Sequence, residues 1–145
     1  MAAIEKVLFA AVFGVLYLLS GIVMIVSALV LPLADLAGTY LIPADPAAGF
    51  VLCVVGLVFL FACRSLSAGT GTGPAFLYVG MALALIFGIV ALASLLAQGA
   101  EIVIFGNGEP WNPVQILVPM VWLALIPAMG MCAWGRGFIS DLTGA

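Results

Sequence analysis

The stretch AFLYVGMALALIFGIVALASLLA, residues 75–97, runs for 23 positions without a charged side chain. Crossing about 30 Å of hydrocarbon takes roughly 20 apolar residues in a helix, so this stretch reads as a membrane span. Just before it, residues 65–74 are rich in Gly, Ser and Thr, the composition of a short flexible turn. Beyond that turn, residues 47–63 form a second apolar run between Asp45-Pro46 and Arg64, near the minimum length for a span.

Further outward, residues 7–31 and 114–134 complete a set of four spans. The first is too long for a signal-peptide core and no clean small-residue cleavage site follows it, so it is expected to be retained and tilted. The expectation is an all-α integral membrane protein, a bundle of four transmembrane helices forming one domain over residues 1–145.

Composition agrees. Of 145 residues, 67% are hydrophobic and 6% charged, with a mean hydropathy of +1.43. A soluble domain carries about 25% charged residues to cover its surface. So apolar a chain needs lipid as part of its solvent, and four spans leave it no room for a separate soluble domain.

Several chemistries are disfavoured. Histidine is absent, which removes the usual axial haem ligand, the commonest zinc ligand and the commonest general base. Cys53, Cys63 and Cys132 form no C-x-x-C pair and read as small buried packing residues. A net charge of −3 supplies no basic patch for nucleic acid. No cofactor, metal or catalytic residue is expected. Inside the four spans there is no formal charge, whereas proton relays and voltage sensors carry acids or bases at mid-membrane.

Orientation follows from the cations. Lys6, Arg64 and Arg136 fall before span one, after span two and after span four, hence on one side. The positive-inside rule makes that side cytoplasmic, with both termini there and the protein in the plasma (inner) membrane. Asp35, Asp45, Glu101 and Glu109 fall on the opposite, outer side.

An offset of 67 residues aligns Gly21-Ile22-Val23 with Gly88-Ile89-Val90, Ser27 with Ser94, and Pro43 and Pro46 with Pro110 and Pro113. It carries spans one and two onto spans three and four, so the halves 1–67 and 68–145 read as candidate tandem parallel hairpins. Chance identity in so apolar a chain is the competing explanation.

Small residues recur at every fourth position: Gly80, Ala84 and Gly88 on span three, Ala124, Ala128 and Cys132 on span four, Ala10 and Gly14 on span one. Such ladders let helix backbones approach closely in lipid, within one chain or between subunits. Ser27, Ser94, Gln98 and Gln115 lie at similar depth near the outer ends of their spans. They are expected to converge on one polar region, which would line an outward-facing cavity or simply bond neighbouring helices. Ser20, deeper in span one, can bond a carbonyl of its own helix.

Trp111 and Tyr40 read as the outer aromatic belt, Trp134 and Tyr78 as the inner one, and mid-span Tyr17 and Trp122 as packed inside the bundle. Pro119 and Pro127 are expected to bend span four. Ile102 to Phe105, followed by Asn107-Gly108, and Tyr40 to Ile42 have strand-like composition, suggesting a small sheet over the outer mouth.

The leading functional expectation is a non-enzymatic accessory subunit or homo-oligomeric component of a membrane assembly, its partners being the lipid bilayer and other membrane chains or copies of itself. A small transporter or channel is the alternative.

Overall fold

The computed structural model describes residues 2–29, 45–105 and 119–143. Within them lie four helices: α1 (Ala2–Leu29), α2 (Pro46–Ser67), α3 (Gly73–Phe105) and α4 (Pro119–Thr143). Three of them are long and apolar enough to cross a bilayer, and the described apolar part of α4, Val121–Gly135, is shorter. This is the all-α, four-helix membrane fold expected from the apolar runs.

Local chemistry explains the boundaries. Asp45 is the N-cap of α2, its carboxylate accepting from the N–H groups of Ala47 and Ala48 at 2.9 and 3.1 Å. Pro46 follows at the first helical position, where a missing N–H breaks no hydrogen bond. At the other end the Ala68 N–H closes α2 on the Arg64 carbonyl, and Gly69 takes a left-handed φ of 69° that a side chain would resist. A three-residue step later α3 begins, the Thr72 carbonyl accepting from the Phe76 N–H at 3.2 Å.

The strand expectation for Ile102 to Phe105 is corrected: these residues are the last turn of α3. A β-branched residue loses only a few tenths of a kcal/mol in a helix, whereas extending a helix already nucleated adds one hydrogen bond per residue. Tyr40 to Ile42 lie outside the described residues, as do Tyr40's and Trp111's places in an outer belt. No strand occurs among the described residues.

Each helix packs mainly on its sequence neighbours, α1 on α2, α2 on α3 and α3 on α4. At the end carrying Lys6 and Arg64, the rings of Phe9 on α1 and Trp134 on α4 meet edge to face with centroids 5.2 Å apart, closing the bundle. The buried stripe of α1 contains Ala10, Phe13, Gly14, Tyr17, Gly21, Met24 and Ser27, a single helical face. Large apolar side chains such as Leu8, Leu19, Phe50, Phe61, Ile89 and Leu125 stand exposed on the outside. In lipid that exposure costs nothing, so close packing rather than water exclusion must hold the helices together.

Candidate functional site

Among the described residues, α1 and α2 approach closely along a glycine seam. A Cβ on Gly21 would lie 2.5 Å from the Gly49 carbonyl oxygen, and one on Gly49 would lie 2.8 Å from the Gly21 carbonyl oxygen. Seven residues away on each helix, a Cβ on Gly56 would sit 2.9 Å from the Gly14 carbonyl oxygen and 2.7 Å from the Leu18 nitrogen. The obstructing atoms are backbone and cannot swing aside. Glycines seven apart on both helices recur on one face of a supercoiled antiparallel pair. The sequence contains this signal, Gly14/Gly21 and Gly49/Gly56, but a search at four-residue spacing passes over three of the four.

Above the seam, Phe9, Phe13, Tyr17 and Phe59 form an aromatic cluster. Phe9 stacks on Phe13 at 4.5 Å and meets Phe59 edge to face at 6.2 Å, while Tyr17 lies 5.8 Å from Phe59. Tyr17 is therefore packed inside the bundle as expected from its depth. Its buried hydroxyl has no hydrogen-bond partner. An unsatisfied buried hydroxyl costs about 1–3 kcal/mol. Tyr17→Phe is expected to raise the unfolding free energy, measured by detergent titration in mixed micelles, by about 1 kcal/mol. A loss of similar size would show that the hydroxyl is engaged in the membrane.

Two other aromatics are corrected. Tyr78 is buried rather than part of an interfacial belt, its hydroxyl donating to the Trp134 carbonyl at 2.9 Å and so joining α3 to α4. Trp122 is 39% exposed rather than packed inside. The inward face of α4 carries Leu123, Pro127 and Gly130, and Trp122 shares the outer face with Leu125 and Met129. Depth along a helix was legible in the sequence, but rotation about its axis was not. Pro127, buried within α4, leaves the Leu123 carbonyl without the N–H it would otherwise accept from. Pro119 is the first described residue of that helix.

The small-residue ladders of α3 and α4 meet in part. Gly80 and Ala84 are buried, and a Cβ on Gly80 would touch the Phe59 ring at 3.2 Å. Gly88, Ala124 and Ala128 line a groove of about 120 Å³ between the helices, walled by Leu85, Leu92 and Leu125. Ala84→Gly and Ala84→Ser should be tolerated, each costing about 1 kcal/mol or less in the same titration. A loss of several kcal/mol from either would show that the contact at Ala84 admits no change.

The polar residues expected to form a single region differ in burial. Ser27 is buried and donates to the Val23 carbonyl at 2.7 Å. Ser94 is exposed and donates to the Val90 carbonyl at 3.0 Å, and Gln98 one turn on is also exposed. Each serine hydroxyl is thus held by its own helix. Gln115 lies outside the described residues. Of the cysteines, Cys53 and Cys63 are half-buried, but Cys132 is exposed, correcting its reading as a buried packing residue. Among the described residues no group of His, Cys, Asp or Glu is gathered as a metal site.

The 67-residue offset carries the buried positions Ala10, Phe13, Gly14, Tyr17 and Gly21 of α1 onto Leu77, Gly80, Met81, Ala84 and Gly88 of α3, also buried. The side chains differ: Met81 and Leu123 stand where the first hairpin has Gly14 and Gly56. At the end carrying Asp45 the correspondence stops, with Ser27 buried and Ser94 exposed.

All four helices, up to the ring of Trp134 against Phe9, fall within one recognised unit. The sequence model of the MJ0565 integral membrane domain matches residues 3–134. The chain belongs to that family. Comparison with curated proteins and with solved structures gives no match. Membership makes the protein an integral membrane protein, in accord with its apolar helices. The family description names no ligand or reaction.

Proposed function

We propose that this small membrane protein works through helix association rather than chemistry, as a non-enzymatic subunit of a membrane assembly or as a homo-oligomer. The observation that supports this reading is the groove of Gly88, Ala124 and Ala128, small residues that let a further helix approach closely. The absence of charged residues from the interior of the apolar runs agrees with it. A transport reading drew on convergence of Ser27, Ser94, Gln98 and Gln115, and the separate bonding of the two serines lends it no support.

The test is mild extraction from the native membrane followed by mass analysis of the intact particle. A discrete oligomer, or stoichiometric partner chains that cross-link to a cysteine introduced at Ala128, is the expected result. A monomer that moves solute in proteoliposomes would overturn the proposal.

The same reading sets Lys6, Arg64 and Arg136 on the cytoplasmic side of the plasma membrane. With the native cysteines replaced by alanine, Gly71→Cys should resist an impermeant thiol reagent applied outside intact cells, and Glu101→Cys should react. The reverse pattern would invert the orientation.

A further inference from the structure

The turn between α2 and α3 holds a cup unlike anything else in the described bundle. Arg64, in the last turn of α2, stands exposed, and no carboxylate among the described residues pairs with it. Beside it the hydroxyls of Ser65, Thr70 and Thr72 gather into one cluster: Ser65 Oγ bonds Thr70 Oγ1, and Thr72 Oγ1 lies 3.0 Å from Ser65 Oγ and 3.3 Å from Thr70 Oγ1. Thr70 also donates to the Ser65 carbonyl at 3.0 Å, which fixes the turn. With that proton committed, the Ser65 hydroxyl donates to Thr70 Oγ1, and the Thr72 hydroxyl proton is the one able to turn outward. Arg64 and the three hydroxyls border a hollow of about 310 Å³ whose other walls include Phe61 and Phe76.

Three features of the cup favour an anion. A guanidinium offers planar paired donors that match a phosphate. Thr72 precedes the first turn of the 33-residue helix α3, whose dipole carries partial positive charge, although the Gly73 N–H already bonds the Thr70 carbonyl and Pro74 has none. The Thr72 hydroxyl adds a neutral donor. A second hollow of about 190 Å³, bounded by Leu57, Leu60, Phe61 and Arg64, runs from the same arginine along the apolar flank of α2. Arg64 and Phe61 border both hollows, so the cup adjoins an open channel beside Leu57 and Leu60.

We propose that this site binds one anionic glycerophospholipid, its phosphate between Arg64 and the Thr72 hydroxyl, and one hydrocarbon chain along Leu57, Leu60 and Phe61. A free phosphate would use the cup alone. The adjoining channel is what selects a lipid.

The experiment uses the full chain reconstituted in vesicles of equal phosphatidylglycerol and phosphatidylcholine, extracted gently, with retained lipid counted by native mass spectrometry. One phosphatidylglycerol per chain is expected, preferred about tenfold over phosphatidylcholine, the ratio that 1.4 kcal/mol of selective binding gives. Arg64→Gln should abolish the preference, Thr70→Ala/Thr72→Ala should weaken it, and Lys6→Gln, which removes a cation at the same end of the bundle, should leave it intact. Should Arg64→Gln fail to fold, the double threonine variant decides, and unchanged preference there overturns the proposal. Equal retention of the two lipids by wild type, full preference in Arg64→Gln, equal loss in Lys6→Gln, or displacement of the lipid by excess inorganic phosphate would each overturn it as well.

Discussion

Gly21→Leu is expected to separate α1 from α2 and cost at least about 3 kcal/mol, the upper end of what overpacking costs in a core. The reason lies in what the new side chain would meet: the Gly49 carbonyl oxygen 2.5 Å and the Cys53 nitrogen 2.8 Å from its Cβ, both backbone. A flexible neighbour could rotate away, but two helix backbones can only move apart. Movement there also loosens Gly14 against Gly56, seven residues along the same seam. Gly135→Ala is the matched control on α4, where a Cβ would meet nothing within 4 Å. Adding a methyl at that helical position should be neutral or stabilise by up to about 1 kcal/mol. Detergent-titrated unfolding reads both changes. Wild-type stability in Gly21→Leu would mean that the two helices are not in contact at that level.

Phe59→Ala should be the most damaging truncation. Phe59 is fully buried and touches Phe9 and Tyr17 of α1, and Gly80 of α3 faces its ring. Lipid removes most of the solvent-transfer term, so the cost is that of a cavity and lost ring contacts. At about 24 cal/mol per Å³, a void on the order of 100 Å³ costs roughly 2.4 kcal/mol. Two aromatic pairs, each worth about 0.5–1.5 kcal/mol, bring the loss to roughly 3–5 kcal/mol. Phe61→Ala, two residues along the same helix and 60% exposed, should change stability by less than about 1 kcal/mol. Equal losses at the two positions would show that Phe59 does not face into the bundle.

Both predictions depend on features with unequal visibility in the sequence. The helices themselves were legible because lipid demands long apolar runs, and those runs are uninterrupted by charge. Their ends were less so. Asp45 was read as one of several outer acids, although Asp before Pro at the start of an apolar run is a helix-cap signature. The glycine seam was present as two seven-residue spacings. It becomes visible only on noting that 14 pairs with 56 and 21 with 49, as two antiparallel neighbours require.

Rotation about each helix axis was the least legible quantity. In a soluble protein, polar residues mark the outward face. Here the outward face is as apolar as the inward one, so Trp122 and Tyr78 exchanged their expected environments, and Ser27 and Ser94 gave no warning that one is buried and the other exposed. The hydroxyls beside Arg64 were read only as turn composition. Their meeting needs Gly69 to reverse the chain, which no spacing rule predicted.

The α1–α2 seam also makes the hairpin a gauge of membrane thickness. Asp45 caps one end of α2 and Arg64 closes the other, and the 19 residue steps between them span roughly 28 Å at 1.5 Å per residue. Taken alone, the longer α1 could slide or tilt to suit a thicker bilayer. The paired glycines forbid that, because a slip of one heptad would leave a single glycine facing another and drive side chains into backbone elsewhere. The helix α2 itself holds those two charges at a separation slightly under the ~30 Å of an average hydrocarbon core, and the seam ties α1 to that length. A bilayer thicker than this must thin around α2 or draw one of those charges below its headgroups, and such mismatch sorts proteins among membranes. The glycines that hold two helices together therefore also bind the longer helix to the span of the shorter one.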